Sequence, residues 1–247
     1  VLGLPSGISA CLFDLDGVLT PTAAVHAAAW QETFDDLLRQ RAARTGEPFT
    51  PFDPVADYDE YVDGKARADG TRSFLQSRHI TLPEGDPGDP PGADTVQGVS
   101  ARKDEAFTRR VHRVGVRPYE GSVRYLRAVR DAGLRRAVVS ASKHCAEILR
   151  AAGIDDLIEE RVDGVVAERE KLRGKPAPDT YLYAARLLGV EPAQAAVFED
   201  ALAGVEAGRA GRFGYVVGVD RVGQAEQLRR HGADVVVKDL AELLSRP

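Results

Sequence analysis

Residues 12–22 read Leu12-Phe13-Asp14-Leu15-Asp16-Gly17-Val18-Leu19-Thr20-Pro21-Thr22, and the apolar run of residues 8–13 leads directly into the two aspartates. A short continuous apolar run is the pattern of a strand buried on both faces. Along a strand, residues two apart point the same way. Asp14 and Asp16 are therefore both placed to reach the crevice beyond the strand's carboxyl end, where open parallel sheets bind ligands. Gly17 lets the chain turn away at once. Two carboxylates this close repel each other, so a cation or a shared proton is expected between them. A surface turn rich in Asp is the competing reading of the same residues.

The rest of the composition narrows the class. The 247 residues suffice for one large domain or for a core with a smaller partner. Hydrophobic residues make up 43% and charged residues 29%, an ordinary globular balance. A net charge of −5 argues against whole-surface attraction to nucleic acid or to an anionic membrane. Anion binding must then rest on local Lys, Arg or backbone N–H groups, or on a metal. The two cysteines, Cys11 and Cys145, form no Cys-x-x-Cys pair, so neither a disulfide framework nor a zinc cluster is expected. Cys11, inside the first apolar run, reads as core. No apolar run approaches the roughly 20 residues of a membrane span, and no signal peptide is visible. The expectation is a cytoplasmic, monomeric enzyme. The chain begins at Val1 and contains no methionine, which suggests that a native N-terminal segment is missing.

Beyond Thr22 the periodicity becomes helical. Val25, Ala29, Trp30, Phe34, Leu37 and Leu38 recur at helical spacing over residues 23–44. Residues 71–77 and 99–114 read as further helices. Residues 83–92, PEGDPGDPPG, form an exposed loop. Residues 23–114 are thus predicted to be an all-helical insertion. From Pro118 onward, helix and strand patterns alternate. Strands are expected at residues 134–139, 161–166, 195–198, 215–219 and 235–237, with helices at 122–132, 179–188 and 201–209 among those between them. This alternation predicts βαβ units in an α/β fold with a doubly wound parallel sheet. The predicted division is a core of residues 1–22 and 115–247, with a helical cap domain at 23–114.

Each candidate chemical residue follows a strand. Asp14 and Asp16 follow the first, Ser140 the second, and Glu199-Asp200 a later one; Lys175 lies in the Pro-stiffened stretch Gly174-Lys175-Pro176-Ala177-Pro178-Asp179. A parallel sheet brings its strand ends to one edge. Taken singly, Ser140 reads as a helix N-cap, Lys175 as a solvated loop lysine, and Glu199-Asp200 as helix-start acids. Together they form a set suited to phosphoryl transfer. A carboxylate attacks phosphorus only when both charges are screened, which Mg²⁺ held by one or two carboxylates accomplishes. Lys175 and Ser140 suit the equatorial oxygens, and a second acid serves the leaving oxygen.

The stretch FDLDGVLTPT resembles the first motif, DxDGxxT, of the haloacid dehalogenase superfamily, and with Ser140, Lys175 and Glu199-Asp200 the chain matches all four motifs of that superfamily. With Ala23-Ala24-Val25-His26, Trp30, SASK, GKPAPD and FEDALAG, it looks like the β-phosphoglucomutase group over nearly the whole chain. The resemblance implies a Rossmann-like core with an inserted helical cap. It implies a Mg²⁺-dependent phosphomutase interconverting β-D-glucose 1-phosphate and glucose 6-phosphate through an aspartyl phosphate and a hexose bisphosphate. Asp14 would be the nucleophile and Asp16 the acid/base. Ser140, Ala141 and Lys175 would hold the transferring group. Asp14, Asp16 (through its carbonyl) and Asp200 would hold the metal, with Glu199 at or near it. Thr22 and His26 match positions that steer the acid/base and cap closure. Arg67 and Lys103 in the cap, with Ser142 and Lys143 in the core, match the grip on the second phosphate.

Pro21, His144 and Asp104 depart from the expected pattern, as does the long Pro-rich loop, and these departures bear on the sugar rather than on the phosphoryl chemistry. A sugar-phosphate phosphatase on the same fold is the alternative. A non-catalytic sugar-phosphate-binding module is disfavoured by intact Asp14, Asp16, Lys175 and Asp200. A dehalogenase is disfavoured by the acid at Asp16.

Overall fold

Strand β1, Ala10–Phe13, is buried along its whole length, as its unbroken apolar composition requires of a strand covered on both faces. In the computed structural model, which describes residues 2–245, β1 pairs in parallel with β2 (Arg135–Val139) on one side and with β4 (Ala195–Glu199) on the other. The remaining strands are β3 (Glu160–Val162), β5 (Tyr215–Val219) and β6 (Val235–Val237), and the six-stranded sheet runs β3-β2-β1-β4-β5-β6. All five pairings are parallel. The chain travels outward from β1 to β3, then returns to the other side of β1 and travels outward again. The topological switch point therefore lies between β1 and β4, the place where doubly wound sheets bind ligands.

The two faces of β1 divide the core. Ala10 and Leu12 pack with Val139, Val162, Tyr181, Ala184, Leu188 and Val197. On the other face, Phe13 stacks on Phe198 with ring centroids 4.5 Å apart and meets Tyr125 edge-on at 6.3 Å. Truncating a fully buried Phe such as Phe13 to Ala costs about 3–5 kcal/mol in cores of this kind.

The helices are α1 (Thr22–Thr45), α2 (Arg67–Ser77), α3 (Val96–Val114), α4 (Glu120–Asp131), α5 (Cys145–Ala151), α6 (Gly164–Arg169), α7 (Asp179–Leu188), α8 (Leu202–Ala210) and α9 (Ala225–His231). The structure forms two compact units. One comprises Val1–Thr22, Gly64–Ala66 and Val116–Pro247, and the other Ala23–Asp63 and Arg67–Gly115. The second unit has its own aromatic core, in which Phe34 stacks on Phe74 at 4.0 Å and on Trp30 at 4.9 Å. Its Pro-rich loop has no regular structure but is tied down, since Val96 N–H donates to Pro83 O at 2.9 Å and Arg102 Nε to Pro91 O at 2.9 Å. Among the described residues no helix is long and apolar enough to cross a membrane.

Among the local boundaries that differ from the pattern-based reading, four stand out. β1 starts at Ala10 rather than Ile8, although Ser9 still bonds to Gln194 O at 2.8 Å and receives Arg135 N–H at 2.9 Å. The expected strand at 161–166 stops at Val162. Asp163 Oδ1 there accepts both Val165 N–H and Val166 N–H at 3.0 Å, a side-chain cap that starts α6 and pulls the two valines into a helix. α3 begins three residues earlier than expected because Thr95 Oγ1 caps Gly98 N–H at 3.0 Å. α2 begins at Arg67 rather than Thr71.

Candidate active site

The switch point brings together side chains from two strand ends and one loop. Asp14 follows β1, and its N–H donates to Phe198 O at 2.9 Å across the sheet. Glu199 closes β4, Asp200 follows it, and Lys175 arrives from the loop before α7, where the Lys175-Pro176 peptide is cis. The Lys175 ammonium has three N–H donors and three acceptors to match. It lies 2.5 Å from Asp14 Oδ1, 2.5 Å from Glu199 Oε1 and 3.1 Å from Val139 O. Tyr181 OH donates to Glu199 Oε1 at 2.7 Å, and Ala201 N–H reaches Glu199 Oε2 at 3.3 Å. All these groups are buried.

Carboxylate oxygens of Asp14, Glu199 and Asp200 lie within 4.8 Å of one another. Lys175 pairs with two of these three buried carboxylates, Asp14 and Glu199, and Asp200 completes the acidic cluster. An all-carboxylate donor set of this kind fits a hard divalent cation such as Mg²⁺, Mn²⁺ or Ca²⁺. Burial pushes the Asp14 carboxyl well above the ordinary carboxylate range; Lys175 opposes this, and Glu199 and Asp16 add to it. For Lys175, burial works against the charge, but Asp14 and Glu199 outweigh it and the ammonium is held above its usual range. Burial, with Glu199 and Asp14, likewise raises the Tyr181 phenol, which keeps it a hydrogen-bond donor.

Asp16 belongs to a separate set. Thr22 Oγ1 donates to Asp16 Oδ1, Thr22 and Thr20 hydroxyls pair at 2.7 Å, and Ser140 Oγ stands 3.4 Å from Asp16 Oδ2. The turn between the aspartates and the threonines is closed by Gly17 N–H to Thr20 O at 2.7 Å. Gly17 adopts φ +87°, and a Cβ there would fall 1.7 Å from Asp200 Oδ2, so glycine is required twice over. Asp16 is not among the carboxylates that cluster at the candidate metal position; any role it has there runs through its backbone.

Ser140 does not cap α5. Its hydroxyl accepts Ser142 N–H at 3.1 Å, and Ser142 Oγ in turn accepts His144 N–H at 3.1 Å, which winds residues 140–144 into a tight turn exposing Ala141 and Ser142 in part. Lys143, matched by resemblance to the grip on the second phosphate, is ion-paired with Glu168 Oε2 on α6 at 2.5 Å. In the second unit, Lys103 Nζ lies 2.5 Å from His26 Nδ1, and the His26 ring stacks on Phe107 at 4.0 Å. Lys103 also faces Trp30 at 5.1 Å. Arg67 is ion-paired with Asp104.

Three contributors escaped the sequence reading. Tyr181 carries no motif, and its phenol matters only because α7 packs across β1, β2 and β3 and brings the hydroxyl to Glu199. Arg221 and Gln224, after β5, reach the acidic loops: Arg221 Nε donates to Gly17 O at 2.8 Å and Gln224 Nε2 to Asp200 O at 3.0 Å. Their one sequence signal is a position after a strand.

The model of the haloacid dehalogenase-like hydrolases matches residues 8–212. The chain is 58% identical to a β-phosphoglucomutase of Mycobacterium bovis, over 99% of this chain and 94% of that protein. It is 30% identical to a β-phosphoglucomutase of Bacillus subtilis, over 96% and 92% of the two chains. Its fold superposes on the crystal structure of a β-phosphoglucomutase from Clostridium difficile with a TM-score of 0.74 at 25% identity, covering 96% of this chain and 93% of the other.

Proposed function

The chain belongs to the haloacid dehalogenase-like hydrolase family and is an enzyme, and from that premise we propose that it is a phosphomutase interconverting β-D-glucose 1-phosphate and glucose 6-phosphate. The observation that carries the proposal is the buried pairing of Asp14 with Lys175 beside Glu199 and Asp200, with Asp16 held apart by Thr22 and Ser140. Identity to the Mycobacterium bovis β-phosphoglucomutase supports the substrate.

Asp14 is the nucleophile. Phosphorylated Asp14 passes its phosphoryl group to the 6-hydroxyl of β-glucose 1-phosphate while Asp16 takes the hydroxyl proton. The resulting bisphosphate binds again the other way round. Asp14 then attacks the phosphorus on the C1 oxygen, that P–O bond breaks, and Asp16 returns the proton to the departing oxygen. Thr22 and Ser140 hold the Asp16 carboxyl for this exchange. Lys175, Ser140 and the Ala141 N–H hold the transferring oxygens. Asp14, the Asp16 carbonyl and Asp200 would hold a divalent cation such as Mg²⁺, which would supply the positive charge that buried Asp14 needs to face a phosphate dianion. Glu199, which already receives three donors, keeps Lys175 charged and in place beside Asp14. Arg67 holds the phosphate that is not being transferred.

The hydrolase description of the family favours one other reading, a phosphatase in which water rather than a sugar hydroxyl takes the phosphoryl group. One assay decides. The protein is given β-glucose 1-phosphate with Mg²⁺ and a trace of hexose bisphosphate, and glucose 6-phosphate and free phosphate are followed together. Glucose 6-phosphate in large excess over free phosphate supports the mutase; free phosphate alone overturns it.

A further inference from the structure

Residues 220–224, which follow β5, form a loop built around one carboxylate. Asp220 Oδ1 accepts the N–H groups of Val222 at 3.3 Å, Gly223 at 2.6 Å and Gln224 at 2.8 Å, and Asp220 N–H is fastened to Val237 O at 2.8 Å. From this fixed base two side chains extend to the two acidic loops. Arg221 stacks its guanidinium 3.7 Å from the Tyr119 ring centroid, donates through Nη1 to Lys238 O at 2.7 Å and faces Asp239 at 3.6 Å. Thus oriented, its Nε donates to Gly17 O at 2.8 Å. Gln224, itself buried, donates to Asp200 O at 3.0 Å. Between those two anchored carbonyls, the Gly17 backbone packs directly on the Asp200 carboxylate.

We propose that Arg221 and Gln224 are positioning residues that set the spacing between the Asp14–Gly17 turn and Asp200, and thereby the affinity of the cation site those carboxylates form. The inference rests on the metal assignment made under the proposed function and deepens it. Neither side chain is a ligand; each fixes the backbone from which a ligand projects. A planar guanidinium fork, stacked and bonded at three points, holds a carbonyl more rigidly than an ammonium does. Partners one step removed from metal ligands typically govern affinity by about 10–100-fold.

The test is calorimetric titration of Mg²⁺ into the metal-free full chain, paired with the Mg²⁺ dependence of turnover. Gln224→Leu, nearly the same shape without the donor, and Arg221→Leu are each expected to raise the Mg²⁺ dissociation constant about tenfold or more. Turnover is expected to return toward wild type at saturating Mg²⁺, with the KM for sugar phosphate little changed, which a general loss of structure would not produce. Arg221→Lys is expected to recover only part of the affinity, and it carries the decision if Arg221→Leu does not fold. Dissociation constants within twofold of wild type in folded variants, or losses that saturating Mg²⁺ does not repair, overturn the inference alone. A wild-type chain that binds no Mg²⁺ overturns the metal assignment and this inference with it.

Discussion

Lys175 Nζ lies 2.5 Å from Asp14 Oδ1 across 161 residues of chain, and it lies as close to Glu199 Oε1, so one ammonium joins two of the three clustered carboxylates. A buried charge pair contributes little net stability over an apolar replacement, but removing one partner leaves the other stranded. Lys175→Met should therefore destabilise the protein by about 3–5 kcal/mol in chelator, with part of the loss repaired by Mg²⁺. Denaturant titration with and without Mg²⁺ reads this directly; a loss below about 1 kcal/mol would show that the pair is not a buried charge pair in solution.

Asp14→Asn preserves the shape and removes the attacking oxygen anion. Phosphoryl transfer should fall by at least about 10⁴-fold while the thermal midpoint stays near or above that of wild type, since a buried, charge-crowded carboxylate is lost. Substantial turnover in the folded variant would remove Asp14 as the nucleophile.

Activity should vanish in excess chelator and return with Mg²⁺, because Asp14, Glu199 and Asp200 place more negative charge in the site than Lys175 neutralises. Asp200→Ala should raise the half-saturating Mg²⁺ concentration by about tenfold or more. An unchanged requirement would count against Asp200 as a ligand.

Arg67 separates mutase from phosphatase. Two charge-assisted bonds to a phosphate, at roughly 1.5–3 kcal/mol each, amount to about 10²-fold or more in kcat/KM. Arg67→Ala should cost mutase turnover that much and leave slow hydrolysis of phosphorylated Asp14 by water nearly unchanged. Because Arg67 is paired with Asp104, a bound phosphate must take the guanidinium from that carboxylate, so Asp104→Asn should tighten bisphosphate binding severalfold. Parallel small losses in both activities on Arg67→Ala would promote the phosphatase.

Asp59, in the π-helical turn Tyr58–Val62, has its carboxyl raised from 3.8 to about 6, by burial first and by Asp53 second. A raised carboxyl pKa adds stability that is complete below about pH 4 and is lost as pH rises through about 6. Asp59→Asn should flatten that slope and stabilise the protein at pH 8, by at most about 1 kcal/mol because the group is only half-buried. Denaturation at pH 5 and pH 8 checks it; equal midpoint differences at the two pH values would refute the titration.

The sequence by itself determined the α/β alternation, the all-parallel sheet and the strand-end placement of Asp14, Ser140, Glu199 and Asp200. Each of these follows from local signals: apolar runs such as residues 8–13, helical periodicity such as that of residues 23–44, and turn residues such as Gly17. Even there, one capping side chain at Asp163 overrode the apolar pattern of Val165 and Val166, because a satisfied helix start competes locally with strand pairing. Tertiary structure alone decided which partner each charge found. Lys175 could have been a solvated loop lysine, and only the tertiary placement of its ammonium beside Asp14, Glu199 and the Val139 carbonyl turned it into the counter-ion of both carboxylates. Lys143, of the same residue type and also following a strand, went to Glu168 instead. Tyr181, Arg221 and Gln224 were invisible for the same reason: their hydrogen bonds join residues 18, 204 and 24 positions apart. Such pairings depend on the register of distant strands, which no local pattern of residues encodes.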